Sequence, residues 1–219
     1  QWLEGSGGES LKSIEHPNNL LKKESWNDPT RLNLSEFGFS IMESDENLAN
    51  KHYEKGNEFI EKKLFTEAIN EFNKALEKKP SWIEALYFRH HAKFESNDYE
   101  GAIEDLTNVI NLTNNDAPST TKAAFFRERG NIYFKLQEYT KSIIDFDKSI
   151  ELDDDNNKWA YLGRAKSNIE LQEYENAIKD YSKVIEIDKD YKWAYHERGN
   201  IYRLNLNDFN RAIKDFDQV

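Results

Sequence analysis

Phe65-Thr66-Glu67-Ala68-Ile69 returns along the chain as Tyr99-Glu100-Gly101-Ala102-Ile103, Tyr139-Thr140-Lys141-Ser142-Ile143, Tyr174-Glu175-Asn176-Ala177-Ile178 and Phe209-Asn210-Arg211-Ala212-Ile213. Its small residue advances by 34, 40, 35 and 35 positions. A second column upstream, Gly56, His90, Gly130, Ala165 and Gly199, advances by 34, 40, 35 and 34. Two columns that move together mark an internal repeat, and a period of this length means stacked copies of one supersecondary unit.

Each unit reads as two amphipathic helices joined by a short polar turn. In the third, Phe126, Arg129, Gly130 and Tyr133 fall at i, i+3, i+4 and i+7, one face of a helix. After Gln137-Glu138 comes a second stripe, Tyr139, Ser142, Ile143, Phe146 and Ile150. Helices in a hairpin approach closely only where one side chain is small, so Gly130 and Ser142 should mark the closest contacts, with aromatics beside them. Between hairpins stand Lys79-Pro80-Ser81, Asn114-Asn115-Asp116, Asp153-Asp154-Asp155 and Asp188-Lys189-Asp190. These should end one helix and cap the next.

On these columns the chain resembles the tetratricopeptide repeat (TPR) family. The first unit supplies Gly56, Phe59, Ala68, Phe72, Ala75 and Pro80 at the family's spacing. The resemblance covers residues 47–219, with units near 49–82, 83–116, 123–156, 158–191 and a truncated 192–219. It implies an all-α, right-handed superhelical solenoid of about five helical hairpins that serves as a protein-interaction scaffold. There are departures. His90 replaces the usual Gly or Ala, so the second hairpin should be splayed or locally adjusted. Lys93 and Asn168 replace a usual aromatic. An insertion near Ala117-Pro118-Ser119-Thr120-Thr121 should lengthen the next helix or bulge as a loop.

Composition narrows the function. The net charge of -11 disfavours nucleic acid as a partner, because binding there is driven by basic residues that release counterions. A basic peptide or protein fits better. The chain has no cysteine, which excludes a disulfide scaffold and a cysteine-based zinc site. No run approaches a membrane span. The five histidines are scattered, and neighbours His90 and His91 point to different helix faces. Asp105, Asp145, Asp180 and Asp215 recur with the repeat, which marks them as structural. The chain reads as a non-enzyme that needs no metal or cofactor, with a cytoplasmic location as the expectation.

The non-repeat leader, residues 1–46, is acidic yet carries Trp2, Trp26, Phe37 and Phe39. It should be a linker or an N-terminal cap on the first hairpin, with part of it, near 32–42, packing against the array or lying in the array's own groove. At the other end, Ala212, Ile213 and Phe216 should face a further helix. That suggests a fragment of a longer array, or self-association through the C-terminal end.

In this family the first helix of each hairpin lines the concave face. The resemblance therefore places a partner groove on Tyr53, Glu54, Asn57, Glu84, Tyr87, Phe88, His91, Arg127, Asn131, Trp159, Lys166, Trp193, His196 and Asn200. Trp159 and Trp193 hold equivalent positions and suit peptide recognition, or else fill space between repeats. Glu54 and Glu84 suit a basic or aromatic-reading peptide segment. The family's carboxylate clamp would need Lys, Asn and Arg where this chain has Tyr53, Asn57, Phe88, Ala124 and Glu128. Only Asn57 matches, which argues against that use. Two other functions fit the same fold: an assembly module joined end to end, and a regulatory domain of a larger enzyme.

Overall fold

The computed structural model describes residues 44–113, 117–153 and 157–219, and the leader's expected packing segment lies outside them. The described residues form ten helices: α1 (Asp45–Glu61), α2 (Phe65–Lys78), α3 (Ile83–Glu95), α4 (Tyr99–Leu112), α5 (Ser119–Lys135), α6 (Tyr139–Leu152), α7 (Lys158–Glu170), α8 (Tyr174–Ile187), α9 (Lys192–Leu204) and α10 (Phe209–Phe216). Consecutive pairs make five hairpins, and each hairpin packs on the next. The result is an all-α repeat solenoid. The insertion before the third hairpin is taken up by a longer first helix: α5 has 17 residues where α3, α7 and α9 have 13.

The small columns sit where the helices of a hairpin meet. A Cβ built on Gly56 would lie 2.6 Å from the Phe72 ring, so only glycine lets α1 and α2 approach this closely. The second hairpin obeys the same steric rule by another route. His90 is 5% exposed, and the column that holds an aromatic opposite the small residue in the other hairpins holds Leu106 here. A larger side chain on α3 is offset by a smaller one on α4. The expected adjustment is this exchange of volume.

Every hairpin turn contains one non-glycine residue in the left-handed region: Lys63, Asn97, Gln137, Gln172 and Asn207, with φ between 53° and 64°. Side-chain caps belong to these turns and to the array's start. Asp98 accepts from the Gly101 amide, Asp208 from the Arg211 amide and Ser44 from the Asn47 amide. The polar runs between hairpins do end helices: α2 stops at Lys78, α6 at Leu152 and α8 at Ile187. The expectation that they also cap the following helix is corrected, because α3, α5, α7 and α9 start without a side-chain cap. Their first turns are held by contact with the preceding hairpin. Asn157, for example, turns back to donate to the Ser149 carbonyl at 3.0 Å.

The recurring aspartates are buried and each receives an arginine fork. Arg89 binds Asp105 at 2.8 and 2.6 Å, Arg129 binds Asp145 at 2.7 and 2.8 Å, and Arg198 binds Asp215 at 2.9 and 2.7 Å. Arg164 reaches Asp180 at 2.6 Å. The remaining guanidinium nitrogen of each donates back to the preceding hairpin, at Asn73, Thr107, Asp147 or Ser182. This ladder ties helix to helix within a unit and unit to unit. Lys93 and Asn168, the residues that depart from the family's aromatic, feed it as well: Lys93 lies 3.0 Å from Asp105 and Asn168 donates to Asp180 at 3.3 Å.

At the C-terminal hairpin one expectation is corrected. Ala212 is buried, and a Cβ on Gly199 would meet the Phe216 ring at 2.7 Å, so both face into their own hairpin. The most exposed apolar residues there are Leu204, Phe209 and Ile213, at 65, 59 and 57%.

Candidate functional site

The first helices of the hairpins, α1, α3, α5, α7 and α9, share one side of the solenoid, with α1 touching α3 and α5 touching α7. All fourteen expected groove residues lie on these helices. Their surroundings divide them.

In the first two hairpins the aromatics join one unit to the next. Tyr53 is half-buried, with its ring 4.5 Å from Trp82 and 5.9 Å from Phe88. Phe88 stacks on Phe72 at 6.4 Å. Tyr87 packs against Phe125 at 5.6 Å and its hydroxyl donates to Glu128 Oε1 at 3.0 Å. Burial pushes the phenols of Tyr53 and Tyr87 up, so both stay protonated. His91 lies edge-on to Phe65 at 6.5 Å, and burial followed by the neighbouring His90 lowers its pKa. Asn57 is half-buried and its Oδ1 has no partner. By contrast, Glu54 and Glu84 are exposed, and neither joins an ion pair among the described residues.

Around Glu128 the third hairpin holds a polar knot. His90 Nε2 lies 3.3 Å from Glu128 Oε2. Burial works to raise the Glu128 pKa, but His90, Tyr87 and the charge of Arg127 outweigh it, so the carboxylate is favoured. Arg127 is half-buried and Asn131 is exposed.

The two equivalent tryptophans have different settings. Trp193 is half-buried, edge-on to Tyr181 at 5.8 Å and to Tyr191 at 6.3 Å, with Lys166 Nζ 5.0 Å above its ring. It belongs to the packing between the fourth and fifth hairpins. Trp159 is 41% exposed and leans on Tyr191 at 6.3 Å, with Lys158 over both rings. His196 is exposed and its Nδ1 lies 3.1 Å from Glu197 Oε1. Asn200 Oδ1 accepts from Arg203 at 3.3 Å. Two parts of this face were not singled out from sequence: the arginine column behind it, and Lys158 with Tyr191. The arginines left a signal, standing sixteen or seventeen residues before each recurring aspartate.

Among the described residues, no group of three or more His, Asp or Glu could hold a metal ion, and no helix is long and apolar enough to cross a membrane.

Residues 165–205 match the family described as TPR repeat, and 128–156 and 194–219 match Tetratricopeptide repeat. The chain carries tetratricopeptide repeats over these residues. Over 109 residues it is 31% identical to the Hsp70-Hsp90 organising protein of Plasmodium falciparum, covering 49% of this chain and 19% of that one. The chain spans less than a fifth of the length of the curated relatives it matches. Among solved structures, this TPR array resembles the MamA protein, with TM-score 0.70 and 23% identity over 78% of this chain and 89% of that one. It also resembles YrrB, described as a TPR protein with an unusual peptide-binding site, with TM-score 0.63 and 17% identity over 76% and 82% of the two chains. At these identities the likeness is one of fold.

Proposed function

We propose that the array is a non-catalytic scaffold that binds a segment of another protein along the face made by α1, α3, α5, α7 and α9. One observation carries this reading. Glu54, Glu84 and Trp159 are exposed on helices of that face, while Tyr53, Tyr87, Phe88 and Trp193 are committed to packing between hairpins. Acidic groups left without a counter-charge select for basic residues, and a partly exposed indole offers a large apolar contact at low entropic cost. The test is capture of partners from native lysate by the chain, by a Glu54→Lys, Glu84→Lys double variant and by Trp159→Ala. A partner lost in both variants supports the groove, and one retained in both overturns it.

A second reading is association through the C-terminal hairpin. It has the exposed Leu204, Phe209 and Ile213 behind it. Sedimentation over a concentration series separates the two: growth in mass that Ile213→Asp abolishes would favour the second.

A further inference from the structure

Lys158 opens α7 at a position that Ala49, Ile83 and Ala123 hold in the first three hairpins. Packing at this point of the repeat therefore does not need a cation. The Lys158 ammonium reaches the link between the fourth and fifth hairpins, where three groups hold it. Its Nζ lies 5.3 Å above the Trp159 ring and 5.0 Å above the Tyr191 ring. The same nitrogen donates to Asp188 Oδ2 at 2.8 Å. The two rings stand edge-on to each other at 83°, so they make a corner with a carboxylate beside it. Aromatic faces and a carboxylate are the chemistry that selects a cation. The chain's own lysine is the cation seated there.

The corner is open to solvent, and its hold on Lys158 is loose. The side chains of Lys158 and Asp188 keep 26 and 34% of their exposure, and Trp159 keeps 41%. At sites this open, an ion pair or a cation over a ring is worth about two- to fivefold in an equilibrium constant. A tethered lysine held so weakly can give way to a better cation. A guanidinium is that cation. It is flat and weakly hydrated, it stacks on an indole, and it can give Asp188 two parallel hydrogen bonds where Lys158 gives one.

We propose that the corner of Trp159, Tyr191 and Asp188 is a subsite for an arginine side chain of the bound segment, which Lys158 fills in the free chain and leaves on binding. The inference rests on the groove reading and deepens it. Basic residues of the segment lie along Glu54 and Glu84, and an arginine lies at Trp159. Lys158 is an internal competitor for that place. Only a side chain that suits the corner better than lysine gains from entering it, so the competitor sharpens the choice of partner.

The test starts from a library of short random peptides selected on the parent chain. Enriched peptides are resynthesised with each arginine changed in turn to citrulline, which keeps the shape and removes the charge. They are titrated by fluorescence anisotropy against four proteins: the parent, Lys158→Met, Asp188→Asn and Glu54→Lys with Glu84→Lys. One citrulline change should weaken binding to the parent about fivefold and matter less in Asp188→Asn, where part of the contact is already gone. Lys158→Met should bind the arginine peptides about fivefold more tightly than the parent, because the corner is then empty. It should unfold thermally like the parent, since the ion pair that it removes is partly exposed. A Lys158→Met chain that gains no affinity, or enriched peptides that need no arginine, overturn the subsite; loss of the same peptides in the double variant would then leave the groove standing. Peptides bound unchanged by the double variant, or a library that yields no binder, overturn the groove and the subsite with it.

Discussion

Glu71 shows how one residue can replace a motif. It occupies the first hairpin's place in the column of recurring aspartates, and among the described residues no arginine pairs with it. His52 lies 2.7 Å away, Lys74 2.8 Å and Lys55 3.4 Å. Burial pushes the carboxyl up, but hydrogen bonds from Lys74, His52 and Lys55 outweigh it and hold the pKa at about 2. A folded-state value below the unfolded one gives stability that is fully present above about pH 4.5 and is lost as pH falls toward about 2. Glu71→Gln should flatten that acid limb in urea titrations by on the order of 1–2 kcal/mol, because the two lysines are half exposed and screened. The hairpin turns support a prediction of opposite sign. Lys63, Gln137 and Gln172 hold φ near 60°, a region that costs a side chain about 1–2 kcal/mol and glycine nothing. Each glycine substitution should raise stability by about 0.5–1 kcal/mol after the flexibility glycine adds to the unfolded chain, which thermal unfolding will show.

At the scale of the helix pair, stability depends on two matched exchanges. The first is charge. Asp145 is 3% exposed beneath Arg129, so Asp145→Ala strands a buried guanidinium and should cost about 3–5 kcal/mol. Lys148→Ala, which removes an exposed pairing with Glu151, should cost less than about 0.5 kcal/mol. Equal losses in the two variants would remove the ladder from the account. The second exchange is volume. His90 and Leu106 take the places of glycine and phenylalanine. His90→Gly should leave a void and Leu106→Phe should overpack, each at about 1–3 kcal/mol. Together they should recover at least about 1 kcal/mol, a coupling a double-mutant cycle measures. Additive losses would mean that the two sites do not share space. This pairing was half legible. The odd histidine stands out against its column, but the odd leucine has meaning only once the two columns are known to touch.

Over the whole array, each hairpin holds only its neighbours, so the effect of damage should depend on position. Phe146 fills its own hairpin and also presses on Gly163 of the next. Phe146→Ala should therefore cost about 3–5 kcal/mol and speed amide exchange in α5 through α8 while α1 to α4 keep more protection. Uniform loss across all ten helices would show that the array unfolds as one block. The all-helical repeat and the hairpin ends were readable in the linear chain. Close helix contact demands a small residue at fixed intervals, and that demand is local enough to leave a period. What the groove residues do was decided in three dimensions. Trp159 and Trp193 are identical by spacing and both touch Tyr191, yet Tyr181 and Lys166 also cover one while the other stays 41% exposed. The aspartate column was recognisable as structural, but its arginine partners come from the companion helix. Exposure and ion pairing depend on side chains contributed by the next hairpin, and the spacing within one unit does not record what its neighbour brings.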